Sequence, residues 1–315
     1  MSATDAVALD LATAARITAA LEPPLKATSF RRFESASTDV FEIAGQDRAV
    51  ILKVYADAPA WKLGKEVFVA ARYAALAPAP EWLRIDETRT LLSRRYALIS
   101  RLPGASLRER FGRDGSEALF REMGALLKRL HEVVMPTFGY LLDGDVAKAF
   151  ASNSDWMAAS FETKYRDFRA WGGDADLGRR VEAFVDDRFA ALEECEQPVL
   201  CHNDFHPGNV LADRDGEGLW RLSGLVDFEN AVAGDPLFDL VKALDYTAHE
   251  CAAGRDPLAA GYGALDRPGA EDALLLYRIF HKLELLNWFV MARADPLGPP
   301  HAALLADLDA LTAQP

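Results

Sequence analysis

The run Leu200-Cys201-His202-Asn203-Asp204-Phe205-His206-Pro207-Gly208-Asn209-Val210-Leu211 sets a carboxylate and a carboxamide five residues apart, with apolar residues on both sides. The apolar frame predicts a rigid loop pinned between buried strands. Further on, Leu225-Val226-Asp227-Phe228-Glu229 places a second aspartate behind an apolar pair, at the end of a predicted strand. Phosphoryl transfer needs a carboxylate that orients and deprotonates a hydroxyl. It also needs oxygen ligands for a hard divalent cation. Asp204 is of the right type for the first task, and Asn209 and Asp227 for the second. Isolated aspartates in loops mostly form turns. Two such segments in this order, each in an apolar frame, are a more specific signal.

The elements that must position these residues fall into two groups. Asp5 to Leu21 is predicted as a short amphipathic helix stopped by Pro23 and Pro24. Strands are predicted at Ser29 to Phe33, Val40 to Ile43, Ala49 to Tyr55, Trp82 to Asp86 and Thr90 to Ile99, with a helix from about Ala60 to Leu76. Arg101-Leu102-Pro103-Gly104 breaks the pattern and marks a hinge. Beyond Ala105 the chain turns helical, with helices expected at 119–134, 154–171, 177–195, 236–251, 270–294 and 300–312. Pro198 to Phe228 is the exception and reads as short strands and loops. The layout is α+β, with a β-rich lobe over residues 1–100, a hinge at 101–104 and a larger helical lobe over 105–315.

His202 to Leu211, Val226-Asp227-Phe228 and Gly234-Asp235-Pro236-Leu237-Phe238-Asp239-Leu240 together resemble the aminoglycoside phosphotransferase family. That family has the protein-kinase-like two-lobe fold and includes antibiotic kinases and relatives of choline kinase. The resemblance is concentrated in residues 200–245. It implies Asp204 as catalytic base, Asn209 and Asp227 as Mg2+ ligands, and ATP as phosphate donor, with GTP left open. It also implies that His202 holds the loop by hydrogen bonding and that Asp239 braces it from below. Asp235 reads as the cap of the helix opened by Pro236.

In the first lobe the resemblance is diffuse, and the candidates there rest on their own positions. Lys53 shares one strand face with Ile51 and Tyr55. Alone it could equally be a solvated edge residue. With the two downstream motifs it becomes the contact to the α- and β-phosphates, paired with Glu66 on the following helix. Glu66 could otherwise be a solvated helix residue beside Lys62 or Lys65. A glycine-rich phosphate loop is missing between the first strands. Glu34 to Asp39 instead offers Ser35 and Ser37, small hydroxyl residues that let backbone N–H groups approach a phosphate, or else an ordinary hairpin turn. At the hinge, adenine would meet the backbone of Ser100 and Leu102, or the segment is simply a strand ending at a proline turn.

The 315-residue chain carries 35 Lys and Arg against 48 Asp and Glu, a net charge of -13. That balance argues against sequence-independent nucleic-acid binding. It serves solubility first and is compatible with a cationic substrate. No apolar run is long enough to span a bilayer, and the start lacks the layout of a secretory signal. Three scattered cysteines fit free thiols in a reducing cytoplasm. The expected state is a monomer or homodimer with a small-molecule acceptor.

The acceptor is expected against the helical lobe, near Asp155, Trp156, Glu162, Asp245, Glu250, Glu284, Trp288 and Phe289. Asp245, Glu250 and Glu284 are the candidate contacts to a cationic acceptor, although helix carboxylates are mostly solvated and aromatics mostly core. Three readings follow: a kinase of an aminoglycoside-type antibiotic, a kinase of a metabolite such as choline, ethanolamine or a sugar, and a catalytically silent nucleotide- or partner-binding module. Intact Lys53, Asp204, Asn209 and Asp227 weigh against the third.

Overall fold

A computed structural model of the chain describes residues 7–33, 38–56, 60–110, 116–264, 267–291 and 299–313. The first lobe is a five-stranded antiparallel sheet in the order β1-β2-β3-β5-β4. Its strands are β1 (Ser29–Phe33), β2 (Asp39–Ala44), β3 (Ala49–Val54), β4 (Trp82–Asp86) and β5 (Tyr96–Ser100). Central β3 has two distinct faces, as its alternation requires. Val50, Leu52 and Val54 pack with Phe41, Ile43, Tyr96 and Leu98 beneath α1 (Leu11–Thr18), which adds Ala14 and Ile17. The opposite face carries Lys53, and beside it Tyr55, Ala97 and Ile99 pack with Leu63 of α2 (Lys62–Tyr73). The strand thus delivers its lysine into the space beneath α2.

Two sequence expectations in this lobe differ from the structure. The first helix starts at Leu11, because the Asp10 side chain caps it by accepting from the Thr13 N–H at 2.7 Å. It stops at Thr18, whose hydroxyl donates to the Leu25 carbonyl and folds the chain back. The strand expected from Thr90 begins only at Tyr96. The preceding stretch is a turn built on Asp86, which accepts from the N–H and the hydroxyl of Thr88.

The second lobe is mainly helical. Its helices are α3 (Ser116–Leu130), α4 (Asn153–Ala170), α5 (Ala175–Arg188), α6 (Pro236–Glu250), α7 (Ala252–Tyr262), α8 (Ala270–Met291) and α9 (Pro299–Thr312). Short strands β6 (Ala105–Ser106), β10 (Val210–Arg214) and β11 (Trp220–Leu225) form one sheet. Strands β7 (Gly139–Leu142), β8 (Asp145–Val146), β9 (Val199–Cys201) and β12 (Val232–Gly234) form another. Arg101 to Gly104 lies between β5 of the first lobe and β6 of the second. The β7–β8 hairpin and α7 escaped sequence reasoning. The hairpin strands are very short, and α7 carries Pro257 inside it.

Helix α7 owes its place to glycine. A Cβ on Gly124 of α3 would run into the Leu258 carbonyl, and one on Gly261 would run into the Arg121 carbonyl. The two backbones therefore touch along a seam without side chains. Gly124→Ala should destabilise the fold by about 1–3 kcal/mol through overpacking, seen as a lower denaturant midpoint, whereas Ala at exposed Gly216, whose added Cβ meets nothing within 4 Å, should leave the midpoint unchanged.

Candidate active site

Residues 202–209 connect β9 to β10, and Asp227 follows β11. Because β10 and β11 pair with Val210 opposite Leu225, the hairpin brings both polar segments to one end. The Val226 N–H donates to the Asn209 carbonyl at 3.0 Å and closes that end. The β10–β11 pairing thus sets the two candidate metal ligands side by side.

The loop is held from inside the lobe. Asp239, fully buried in the first turn of α6, accepts from the His202 N–H at 2.6 Å and the Asn203 N–H at 2.9 Å. His131, just past the end of α3, stands 3.3 Å from the same carboxylate and its other ring nitrogen meets the Tyr262 hydroxyl. Burial pushes the Asp239 pKa up, but His131 and the loop N–H groups outweigh it, leaving the carboxyl below its ordinary value. His202 donates from Nε2 to the Val226 carbonyl and packs edge-on against Phe205 and Phe228. Burial lowers its pKa and keeps the imidazole neutral, which suits a brace.

Asp204 projects from this braced loop. Asn209 Nδ2 donates to the Asp204 carbonyl at 2.9 Å and to its Oδ2 at 3.3 Å. A carboxamide that donates from its nitrogen leaves its oxygen for a cation. Asp227 adopts a left-handed backbone with φ 68°, and 41% of its side chain is exposed. Desolvation by the surrounding walls raises its pKa, Lys53 counteracts this, and the negative charges of Glu229 and Asp204 raise it further. A hard cation would relieve that repulsion. The oxygen donor set Asn209 and Asp227, beside two further carboxylates within 4.8 Å in Glu66 and Glu229, fits Mg2+. A second cluster, His131, Cys201 and Asp239, is fully engaged in hydrogen bonds and reads as packing.

Lys53 and Glu66 meet as expected. The Lys53 ammonium lies 2.6 Å and 2.8 Å from the two carboxylate oxygens, and 3.8 Å from Asp227. Burial works against the charge on Lys53, but Glu66 and Asp227 offset it and raise the lysine pKa. Helix α2 is tied to the second lobe by the Tyr73 hydroxyl, which donates to the Leu200 carbonyl at 2.7 Å. It is also tied by Lys62, which pairs with Glu229 at 3.0 Å. Glu229 and Lys62 were missed as site residues. Their signal was available, since Glu229 directly follows the Asp227 motif and Lys62 lies one turn before Glu66.

The remaining expectations fare differently. Ser35 and Ser37 lie outside the described residues. Ser100 gives its N–H to the Glu81 carbonyl and its hydroxyl accepts from the Glu81 N–H, both at 2.8 Å. The Leu102 carbonyl accepts from the Arg101 guanidinium. Asp245 pairs with Arg278 at 3.1 Å, Glu284 lies 3.4 Å from Lys164 and 3.5 Å from Lys242, and Glu250 is bound by Arg108 and lies 3.4 Å from His206. All three candidate acceptor contacts therefore already face basic groups. Trp156 is fully buried among Tyr140 and Phe238, so it belongs to the core and not to an acceptor face. Trp288 is half exposed.

Asp239→Asn should keep the fold but weaken the loop brace. The measurable result is faster hydrogen exchange at the His202 and Asn203 amides, with the small-lobe sheet unaffected.

Residues 29–275 match the phosphotransferase enzyme family APH. Solved structures agree in fold. A thermostable mutant of aminoglycoside phosphotransferase APH(4)-Ia in its apo form is 20% identical with a TM-score of 0.70, over 91% of this chain and 95% of that one. A choline/ethanolamine kinase family protein from Mesorhizobium loti is 19% identical with a TM-score of 0.66, over 97% and 96%. APH(2")-IIia, solved with GDP and kanamycin, is 15% identical with a TM-score of 0.69, over 94% and 97%. No curated protein sequence matches the chain. With the family match covering both lobes and the kinase-like two-lobe fold shared with these structures, the chain belongs to the phosphotransferase enzyme family.

Proposed function

We propose that this chain transfers the γ-phosphate of ATP to a hydroxyl of a small molecule. The observation that carries the reading is the convergence of Asp204, Asn209 and Asp227 at one end of the β10–β11 hairpin, facing the Lys53–Glu66 pair. APH(4)-Ia has been solved with AMP-PNP and hygromycin B, which supports a nucleotide and an acceptor meeting in such a cleft. Lys53 would hold the α- and β-phosphates. At the hinge an adenine would meet the backbone of Ser100 and Leu102, where Glu81 already holds the Ser100 N–H and Arg101 the Leu102 carbonyl. Mg2+, held by Asn209 and Asp227, would supply charge neutralisation for the triphosphate. Asp204 takes the proton from the acceptor hydroxyl as its oxygen bonds to the γ-phosphorus. The bond from that phosphorus to the β–γ bridging oxygen breaks and ADP leaves.

The acceptor reading favoured is an amine-bearing polyol of the aminoglycoside kind. The net charge of -13 and the neighbours solved with hygromycin B and kanamycin support it. The likeness to a choline/ethanolamine kinase family protein supports an amino alcohol as the second reading. A location in the cytoplasm accords with three free thiols, and among the described residues no helix is long and apolar enough to cross a membrane.

The test is ATP consumption with hygromycin B, kanamycin, choline, ethanolamine and neutral sugars as acceptors. Turnover with an aminoglycoside alone supports the first reading, and turnover with choline or ethanolamine alone the second. Asp204→Ala should cut transfer by about 10²-fold or more while AMP-PNP binding, measured by calorimetry, persists. Lys53→Met should do the reverse in part, raising KM for ATP. Loss of no more than twofold in the Asp204 variant would remove it as the base.

A further inference from the structure

The Asp204 carboxylate is steered by a second amide besides Asn209. Asn230, three residues beyond Asp227, donates from Nδ2 to Asp204 Oδ2 at 3.4 Å. The Asn230 backbone is in turn anchored, since its carbonyl accepts from Asn203 Nδ2 at 3.0 Å. Asn203 itself sits in a left-handed backbone with φ 55°, and its N–H is held by Asp239. The other end of its carboxamide, Oδ1, accepts from Lys242 Nζ at 3.2 Å.

A carboxamide between two partners can sit either way round, and what decides is the partners' chemistry. Lys242 can only donate and the Asn230 carbonyl can only accept. Together they allow a single orientation, with the oxygen toward the lysine and the nitrogen toward the loop. Lys242 is 7% exposed and Asn203 6% exposed, so water does not compete strongly for either contact. Glu284 of α8, 3.5 Å from the ammonium, balances its charge. A buried ion pair of this kind contributes little to stability against an apolar replacement. What it supplies is a fixed donor.

We infer that Lys242 is a positioning residue for phosphoryl transfer, acting through Asn203 and Asn230 to aim the Asp204 carboxylate at the acceptor hydroxyl. This rests on the proposed role of Asp204 as base. The hydrogen bonds of Lys242 go to Asn203 and Glu284 and not to Asp204. It lies on α6, the helix that also carries Asp239, so one helix fixes both the loop backbone and the direction of its catalytic side chain.

The test compares Lys242→Met, Lys242→Arg, Asn230→Ala and the double variant of Lys242→Met with Asn230→Ala. Transfer to the acceptor identified by the panel is measured, or slow ATP hydrolysis by water where none turns over. Misaiming by a fraction of an ångström should lower kcat by about 10-fold or more with KM for ATP within about twofold. Lys242→Arg, another donor-only cation, should recover most of the rate. The double variant should be no slower than the slower single one, because both break the same chain of contacts. Crystals of Lys242→Met should show the Asp204 carboxylate rotated away from Asn230. An unmoved carboxylate, multiplying losses in the double variant, or a rise in KM for ATP in place of the fall in kcat overturns the inference. Asn230 is exposed and its variant will fold, so an unchanged kcat there overturns it as well. Asp204→Ala runs alongside, and if it matches the wild type, the base assignment has failed and not the relay.

Discussion

Everything at this site hangs on one buried carboxylate. Asp239 collects two consecutive backbone N–H groups, from His202 and Asn203, with none of its surface open to water. Those groups open a loop that lies among aromatic rings and would otherwise be left without partners, at a cost of about 1–3 kcal/mol each. Remove the charge and the loop is left to its other ties, His202 to the Val226 carbonyl and Asn203 to Asn230 and Lys242. With the path set, Asn203 takes a left-handed backbone, and Asp204 and Asn209 emerge toward the cleft.

The cleft has a second requirement, which is that the lobes keep register. Helix α2 does much to meet it, beside the Leu225 N–H that donates to the Pro78 carbonyl and the Thr38 hydroxyl that donates to Glu229. Its one face places Glu66 on Lys53, its end places Tyr73 on β9, and its start places Lys62 on Glu229 beside Asp227. The Tyr73 ring also lies edge-on against Phe228, next to Asp227. A single rigid element therefore couples the position of Lys53 to both polar segments. Its three contacts to the second lobe, Lys62 with Glu229 and Tyr73 with the Leu200 carbonyl and with Phe228, mix a charge pair, a neutral hydrogen bond and an aromatic packing contact, so they do not weaken together with salt.

How much of this could be read beforehand depends on the distance over which each residue acts. Asp204, Asn209 and Asp227 were legible because their apolar frames are local and their chemistry is narrow. Lys53 and Glu66 were legible because strand alternation and helical spacing decide which face each takes. The acceptor side was not. Asp245, Glu250 and Glu284 looked like open carboxylates, yet each has a basic partner far away in the chain, among them Arg278, Arg108 and Lys164. Such pairings depend on how helices cross, and helix periodicity carries no information on that. Asn203, Asn230 and Lys242 were hidden for the same reason: an asparagine in a loop and a lysine in an apolar helix mean little until they meet.

The glycine seam between α3 and α7 bears on how the chain is made. Helix α3 ends at Leu130, and the backbone it must touch arrives only with Tyr262. At ordinary ribosomal speeds of roughly 5–20 residues per second the wait is on the order of ten seconds. The small-lobe sheet faces no such delay, since its strand pairings lie within Ser29 to Ser100. During synthesis the small-lobe sheet would stand complete while α3 keeps its apolar face uncovered. That interval is when the α3 face that the finished fold covers stays uncovered longest.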